Sequence, residues 1–208
     1  MKFLLSLLIM TLLSISVSAK EQERATLQID EKVVVEDVLV KKGQPKKDQL
    51  TVSGYTIQSS SLDAVAKKYK TKIKEFGEGE DLVSLVCLIG SDKSALEFTS
   101  GDLGGESNQI LTIGLYQKSS KYKHKKDCET VDKRFGKTKI AGLTLGMTEK
   151  EVVKKLGEPS KQAKAFVLYY FEDKMKLNGV KFDVTSVIHV KLEKGKVISV
   201  SVSQFMVY

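Results

Sequence analysis

The chain has 208 residues and a formal net charge of +8, from 34 Lys/Arg and 26 Asp/Glu. This length suits one large domain or two small ones, and either can bury a working core. The excess charge is concentrated in residues 118–139, which hold nine Lys/Arg and three Asp/Glu. A nucleic-acid-binding fold spreads basic charge over a surface beside a recognisable motif. Because the chain has no such motif, we expect no nucleic-acid partner.

Residues 1–19 have the pattern of a bacterial signal peptide. Lys2 gives a positive start, residues 3–17 are mainly apolar, and small residues precede a cleavage point at Lys20. The alternative is a retained membrane anchor, although the apolar run is shorter than the roughly 20 residues that span a bilayer. No cysteine stands at the cleavage point, so a lipid anchor is not expected. We therefore predict a periplasmic or secreted protein.

An exported location gives the two cysteines a specific meaning. Outside the cytoplasm, Cys87 and Cys128 are expected to form a disulfide, with two free thiols as the alternative. His124 and Cys128 together offer only two ligands, whereas structural zinc usually has four. We therefore expect neither a metal site nor a cofactor.

The chain after the signal peptide divides into three parts. We predict a first α+β unit with an N-terminal hairpin at 20–117, a basic linker at 118–139 and a second α+β unit at 140–208. The predicted strands are runs of β-branched and aromatic residues, at 32–40, 50–57, 82–89, 95–98, 110–116, 165–171, 182–192 and 196–207.

Each unit is predicted to contain one short helix. In the first, Ser60 or Ser61 supplies the cap, and the apolar stripe runs from Leu62 to Tyr69, with an extension to Phe76 as an alternative. Either helix is short enough to be marginal alone in water, so each must pack on a sheet.

The second predicted helix has clearer start and stop signals in the sequence. Thr148 and Glu151 form a capping-box signature, Gly157 ends the helix, and Pro159 prevents it from resuming. We therefore predict a helix of barely three turns after Thr148.

The strand at 182–192 alternates between two kinds of side chain. Ile188 and Val190 share one face, and Val187 and His189 share the other. An antiparallel sheet with a helix on one side usually has one buried and one solvated face. His189 is therefore expected to point to solvent and to have no catalytic role.

The two halves repeat one spacing. "VAKK" at 65 and "VVKK" at 152 have the same offset as the apolar positions of the last strands at 111–115 and 198–202. Internal duplication explains this, and short matches by chance are the alternative. With duplication, the predicted fold class is α+β, as a tandem of two units that each place a helix on an antiparallel sheet.

Residues 140–205 resemble the bacterial BamE/SmpA/OmlA outer-membrane family and the related β-lactamase-inhibitor-protein fold. The matching residues are Leu145, Gly146, Met147, Thr148, Val152, Leu156, Gly157, Pro159, Val190, Leu192, Gly195 and Val197. The resemblance implies a helix on one sheet face and, as in the inhibitor proteins, two tandem units whose concave sheet surface grips another protein. The lipid-bearing cysteine of the outer-membrane members is absent at Lys20, so their assembly role is not carried over.

Catalytic motifs are absent from the sequence. It contains no Gly-x-Ser-x-Gly elbow, no His-Glu-x-x-His zinc helix and no phosphate loop. We therefore expect a non-catalytic binding protein whose partner is an envelope or secreted protein.

The segment 165–171, "AFVLYYF", is apolar on both faces of its strand. One interpretation is a central strand that is covered on both sides. The other is an exposed aromatic patch of the kind that anchors protein interfaces, which makes Tyr169, Tyr170 and Phe171 the candidate partner-binding residues.

A second functional prediction uses the basic linker as an electrostatic adaptor to anionic envelope polymers or lipid headgroups. Its candidate residues are Lys121, Lys123, Lys125, Lys126, Lys133 and Arg134. The alternative is a solvated linker held by Cys128. Attachment of this kind weakens with salt, because exposed charges are screened within about 10 Å at 0.1 M.

Overall fold

The computed structural model describes residues 38–78, 82–101, 108–117, 125–177 and 179–207, which belong to the compact unit Val33–Tyr208. The predicted signal peptide at 1–19 and most of the predicted strand at 32–40 lie outside these ranges. The described α-helices are α1 (Leu62–Tyr69) and α2 (Glu149–Leu156). The described strands are β1 (Lys41–Lys42), β2 (Thr51–Val52), β3 (Tyr55–Thr56), β4 (Lys74–Phe76), β5 (Val83–Ile89), β6 (Ser94–Gly101), β7 (Thr112–Gln117), β8 (Glu129–Thr130), β9 (Lys161–Ala163), β10 (Phe166–Leu177), β11 (Val180–Glu193) and β12 (Lys196–Val207).

Ten of these strands form one mixed sheet. Its order is β1-β10-β11-β12-β7-β6-β5-β4, with β8 beside β5 and β9 beside β10. The β1–β10 and β5–β8 pairs are parallel, and the others are antiparallel. The short hairpin of β2 and β3 is a separate sheet.

The predicted tandem of two α+β units is wrong. The described chain is mostly β-sheet, each α-helix has only eight residues, and strands from both halves share one sheet. The halves merge because β7 and β12 pair from Tyr116–Ser199 to Thr112–Ser203. Each of these strands would otherwise leave a row of backbone N–H and C=O groups unpaired.

Local interactions set the ends of α1. The Ser61 side chain accepts a hydrogen bond from the Ala64 N–H at 3.3 Å. Lys70 takes a left-handed conformation with φ of 53° and ends the helix. The alternative extension to Phe76 is therefore wrong, because the chain after Lys70 forms β4 and pairs with β5.

The capping box predicted for α2 is confirmed. The Thr148 N–H donates to the Glu151 carboxylate at 2.7 Å, and the Glu151 N–H donates to the Thr148 hydroxyl at 3.4 Å. Gly157 ends the helix with φ of 81°, a conformation that glycine adopts without steric cost.

In the described ranges, no helix has the length and apolarity of a membrane span.

Both α-helices pack on one face of the sheet, which we call the front face. Leu62 and Val65 of α1 and Val152 of α2 belong to the same buried cluster as this face. The cluster members that lie in the ten-stranded sheet are Val86, Leu88, Leu96, Phe98, Ile113, Leu115, Val167, Tyr169, Ile188, Val190, Leu192, Val197, Val200 and Val202. The opposite side is the back face, where Leu85, Cys87 and Ala95 form a smaller cluster.

The break "EKGK" between the predicted strands at 182–192 and 196–207 predicts a hairpin, and β11 and β12 form one. Lys194 and Gly195 have φ of 51° and 72°, and two consecutive left-handed residues match the twist of the flanking strands. The paired strands β10, β11 and β12 have 12, 14 and 12 residues. β10 continues past the predicted end at 171 to Leu177, β11 exceeds the strand predicted at 182–192 by only three residues, and β12 coincides with the strand predicted at 196–207.

The predicted disulfide is confirmed. Cys87 lies in β5 and is bonded to Cys128, with a Cα–Cα distance of 4.5 Å and a sequence separation of 41. Cys128 directly precedes β8, which pairs with β5 at Leu88–Glu129. The bond therefore holds the predicted linker against the sheet at Cys128.

Replacing both cysteines, as Cys87→Ala/Cys128→Ala, should lower the free energy of unfolding. A closed loop of 41 residues corresponds to about 4 kcal/mol in the chain-entropy model. Urea unfolding of the oxidised wild type, the reduced wild type and the variant measures the difference. Reductant should destabilise the wild type and leave the variant unchanged; equal stability of all three would contradict a stabilising bond.

Candidate functional site

The back face is a lattice of side chains set by strand register. Residues directly opposite each other on neighbouring strands share a face. The central row is Leu168, His189, Ser201, Gly114, Glu97 and Cys87. The rows on either side begin at Phe166 and at Tyr170, so this face receives alternate residues of β10.

Four aromatic side chains on the part of the back face formed by β10, β11, β12 and β7 are partly exposed, and we call them the aromatic rim. They are Phe166 and Tyr170 of β10, Tyr116 of β7 and Phe205 of β12. Between them lie small side chains, namely Gly114, Ser199, Ser201 and Ser203. Of these four residues, Gly114, Ser199 and Ser203 are buried and Ser201 is partly exposed, so the rings themselves offer the accessible area of this region.

The Tyr116 ring approaches Gly114 closely. A Cβ at this position would lie 2.6 Å from a ring carbon of Tyr116, closer than real contacts allow. A larger residue at position 114 would therefore displace the Tyr116 ring, and glycine leaves room for it.

His189 is buried on the back face, so the prediction that it points to solvent is wrong. Its side chain is 5% exposed, and its ring centroid lies 5.9 Å from that of Phe166. Burial lowers the pKa of the imidazole from 6.5 to about 4, and the Lys191 ammonium acts in the same direction. Because Leu168 and Val187 beside it are also buried, this part of the face is apolar rather than solvated.

The three predicted partner-binding residues do not share a surface. Tyr169 is fully buried on the front face, and its hydroxyl donates to the Gly157 carbonyl at 3.0 Å. Burial raises the pKa of this hydroxyl to about 12. Phe171 packs against the front-face core. Of the three candidates, Tyr170 alone lies on the back face and is partly exposed, whereas Tyr169 is not accessible to a partner.

The hydroxyl of Tyr169 also has a structural use. The last carbonyls of a helix have no partner within the helix, and Tyr169 supplies one at the end of α2. In contrast, the Tyr170 hydroxyl donates to the exposed Glu172 carboxylate at 3.1 Å.

The predicted anionic-surface residues are only partly described. Lys121 and Lys123 lie outside the described residues, and of Lys125 only the backbone is described, in a 3-10 turn. The remaining candidates, Lys126, Lys133 and Arg134, are exposed. Lys133 and Arg134 directly precede Phe135, which is buried in the core. This part of the 118–139 segment is therefore anchored to the fold.

Tyr116 and Phe205 were not predicted as members of a site. The available signal was their position two residues from Gly114 and Ser203 on the same strands, which places them on the same face. Recognising them needed the pairing of β7 with β12. Within the described ranges, no three His, Cys, Asp or Glu side chains come together as metal ligands.

These features define the described part of the chain as a mixed β-sheet protein, with α1 and α2 on the front face and the aromatic rim on the back face. No family model matches the chain, and neither the curated proteins nor the solved structures contain a match. The resemblance of residues 140–205 to the BamE/SmpA/OmlA family and the inhibitor-protein fold therefore stays a prediction.

Burial of His189 should make stability depend on pH. The folded pKa is about 4 and the ordinary value is 6.5, so the unfolded imidazole takes up a proton first as the pH falls. The free energy of unfolding should therefore decrease between pH 6.5 and pH 4, and this group should account for up to about 3 kcal/mol of the decrease. Unfolding of wild type and His189→Gln at pH 4, 5, 6 and 7 isolates the effect, because carboxylate contributions are common to both. Parallel pH profiles would contradict a buried neutral imidazole.

Tyr169→Phe should destabilise the protein by about 1 kcal/mol, because it removes a part-buried hydrogen bond to the end of α2. Tyr170→Phe is the matched control on the same strand. Its hydroxyl bond is exposed, so its effect should stay within about 0.5 kcal/mol. Denaturant midpoints measure both, and an equal effect of the two substitutions would contradict a stabilising role of the Tyr169 hydrogen bond.

Proposed function

We propose that the protein is an exported, non-catalytic bacterial module that docks another envelope or secreted protein through its back face. The observation that carries the proposal is the aromatic rim, with four partly exposed rings around small residues. Tyrosine is enriched among the residues that dominate binding energy at protein interfaces. Its ring contributes apolar area, and its hydroxyl offers a hydrogen bond at low entropic cost.

The rigidity of the face supports this role. The rim residues lie on β7, β10 and β12, which are held by continuous antiparallel pairing through β11. A binding surface on paired strands has little conformational entropy to lose on association. The disulfide supports an exported location, because such bonds persist in oxidising compartments.

Tyr170→Ala should reduce binding to the physiological partner by about tenfold or more, as expected for an interface hot spot. Val180→Ala is the control, because Val180 is an exposed apolar side chain at 45% accessibility outside the rim. Site-specific photo-crosslinking from position 170 in the native envelope would identify the partner, and titration of the purified pair would give both affinities. Equal affinities for wild type and Tyr170→Ala would remove Tyr170 from the account.

The alternative function is an electrostatic adaptor for anionic polymers or lipid headgroups through the 118–139 segment. It is supported by the exposure of Lys126, Lys133 and Arg134. The two functions differ in salt dependence, because surface charges are screened and buried apolar contacts are not. Binding that survives a salt series favours docking through the aromatic rim, and binding that falls steeply favours the adaptor.

A further inference from the structure

Two lysines from distant parts of the chain meet at one tyrosine. Tyr69 is the last residue of α1, and its ring centroid lies 5.8 Å from the Lys68 Nζ and 5.0 Å from the Lys133 Nζ. Lys68 also lies 5.0 Å from the ring centroid of Tyr55. Ammonium groups at this range are attracted to the ring faces. The rings therefore gather two positive charges that the sequence separates.

The backbone of Lys133 is held in place, unlike that of a free linker. Its carbonyl accepts a hydrogen bond from the Ser91 N–H at 2.7 Å. The Asp92 carboxylate accepts from the N–H groups of Phe135 and Gly136 at 3.3 and 2.7 Å. The Phe135 ring in turn packs edge-on against Tyr69, with centroids 6.4 Å apart. The site is therefore assembled before any ligand arrives.

The Asp92 charge is already used in this arrangement. Burial alone would raise the pKa of its carboxyl, but hydrogen bonds from Ser94, Gly136 and Phe135 outweigh burial and lower the pKa. The carboxylate therefore serves the backbone of the 133–136 segment. Among the described residues, neither Lys68 nor Lys133 takes part in an ion pair.

More positive charge flanks the pair on both segments. Around Lys68 the additional cations are Lys67, Lys70 and Lys72, and around Lys133 they are Arg134, Lys137 and Lys139. All six are exposed. An extended group of cations attracts a ligand that carries several negative charges along its length, because each neutralised charge releases a counterion.

The surroundings favour a polymer over a membrane. Binding to a lipid surface is strengthened by apolar side chains that enter the bilayer. The exposed large hydrophobic residues of the described ranges are Leu39, Val40, Leu82, Val180 and Val207. None of these residues belongs to the α1 end or to the 133–139 segment.

We propose that Lys68 and Lys133, gathered beside Tyr69, form the centre of a binding site for a linear phosphate polyanion. This inference rests on the alternative adaptor function and narrows its centre from the whole 118–139 segment to Lys133, within that segment, and Lys68 of α1. It does not depend on docking through the aromatic rim, which lies on the back face.

The test uses the full mature chain and medium-chain inorganic polyphosphate, titrated by calorimetry at several salt concentrations. Lys68→Gln/Lys133→Gln should weaken binding by about tenfold or more and lower the salt dependence by about two charges. Lys154→Gln/Lys155→Gln is the matched control, because it removes the same charge from the last turn of α2; it should change affinity by less than about threefold. Lys68→Arg/Lys133→Arg should retain binding, and thermal unfolding checks that every variant is folded.

The remaining outcomes overturn the proposal in distinguishable ways. Equal losses in both Gln pairs mean attraction by net charge alone, which removes the site but leaves the adaptor function. Loss only in Lys121→Gln/Lys126→Gln returns binding to the linker. Binding to phosphatidylglycerol vesicles without binding to polyphosphate replaces the polymer with a membrane surface. Absence of binding to either probe in the wild type removes both the site and the adaptor function.

Discussion

The antiparallel pairing of β7 with β12 is the constraint on which the rest of the structure depends. It joins the strands of both halves into one sheet, over the register Tyr116–Ser199 to Thr112–Ser203. On the front face it brings Ile113 and Leu115 against Val202 and Val200, which are fully buried. On the back face the Thr112 hydroxyl donates to that of Ser203 at 2.9 Å. The β7–β12 pairing therefore completes the front-face core and determines which side chains stand next to each other on the back face.

The side chains along the β7–β12 pair also show how the two faces differ. Front-face positions carry large aliphatic side chains and are covered by α1 and α2. Back-face positions along this strand pair carry small residues, as in the Gly114–Ser201 pair, and the large rings stand beside them. The rings of the aromatic rim are therefore partly exposed on paired strands, whereas the aliphatic side chains of the front face are covered.

Predictions from the sequence succeeded where the interaction is local. The capping box of Thr148 and Glu151 and the turn at Lys194 and Gly195 involve residues within a few positions of each other. The disulfide was predictable because the chain contains only two cysteines. In contrast, Tyr169 and Tyr170 could not be assigned to faces, because both neighbours are apolar and alternation leaves no signal. The gathering of Lys133 at Tyr69 was equally hidden, since its cause is the hydrogen bonding of Asp92 to a distant segment.

The sequence by itself determined the positions of the short helices, most of the strand segments and the cysteine bond, because caps, turns and side-chain alternation act over a few residues. Only the tertiary structure decided that the two halves share one sheet, that His189 is buried, and which aromatic side chains remain partly exposed. The physical reason is that strand edges are satisfied by any partner with matching N–H and C=O groups. The choice of partner therefore depends on the packing of the whole chain.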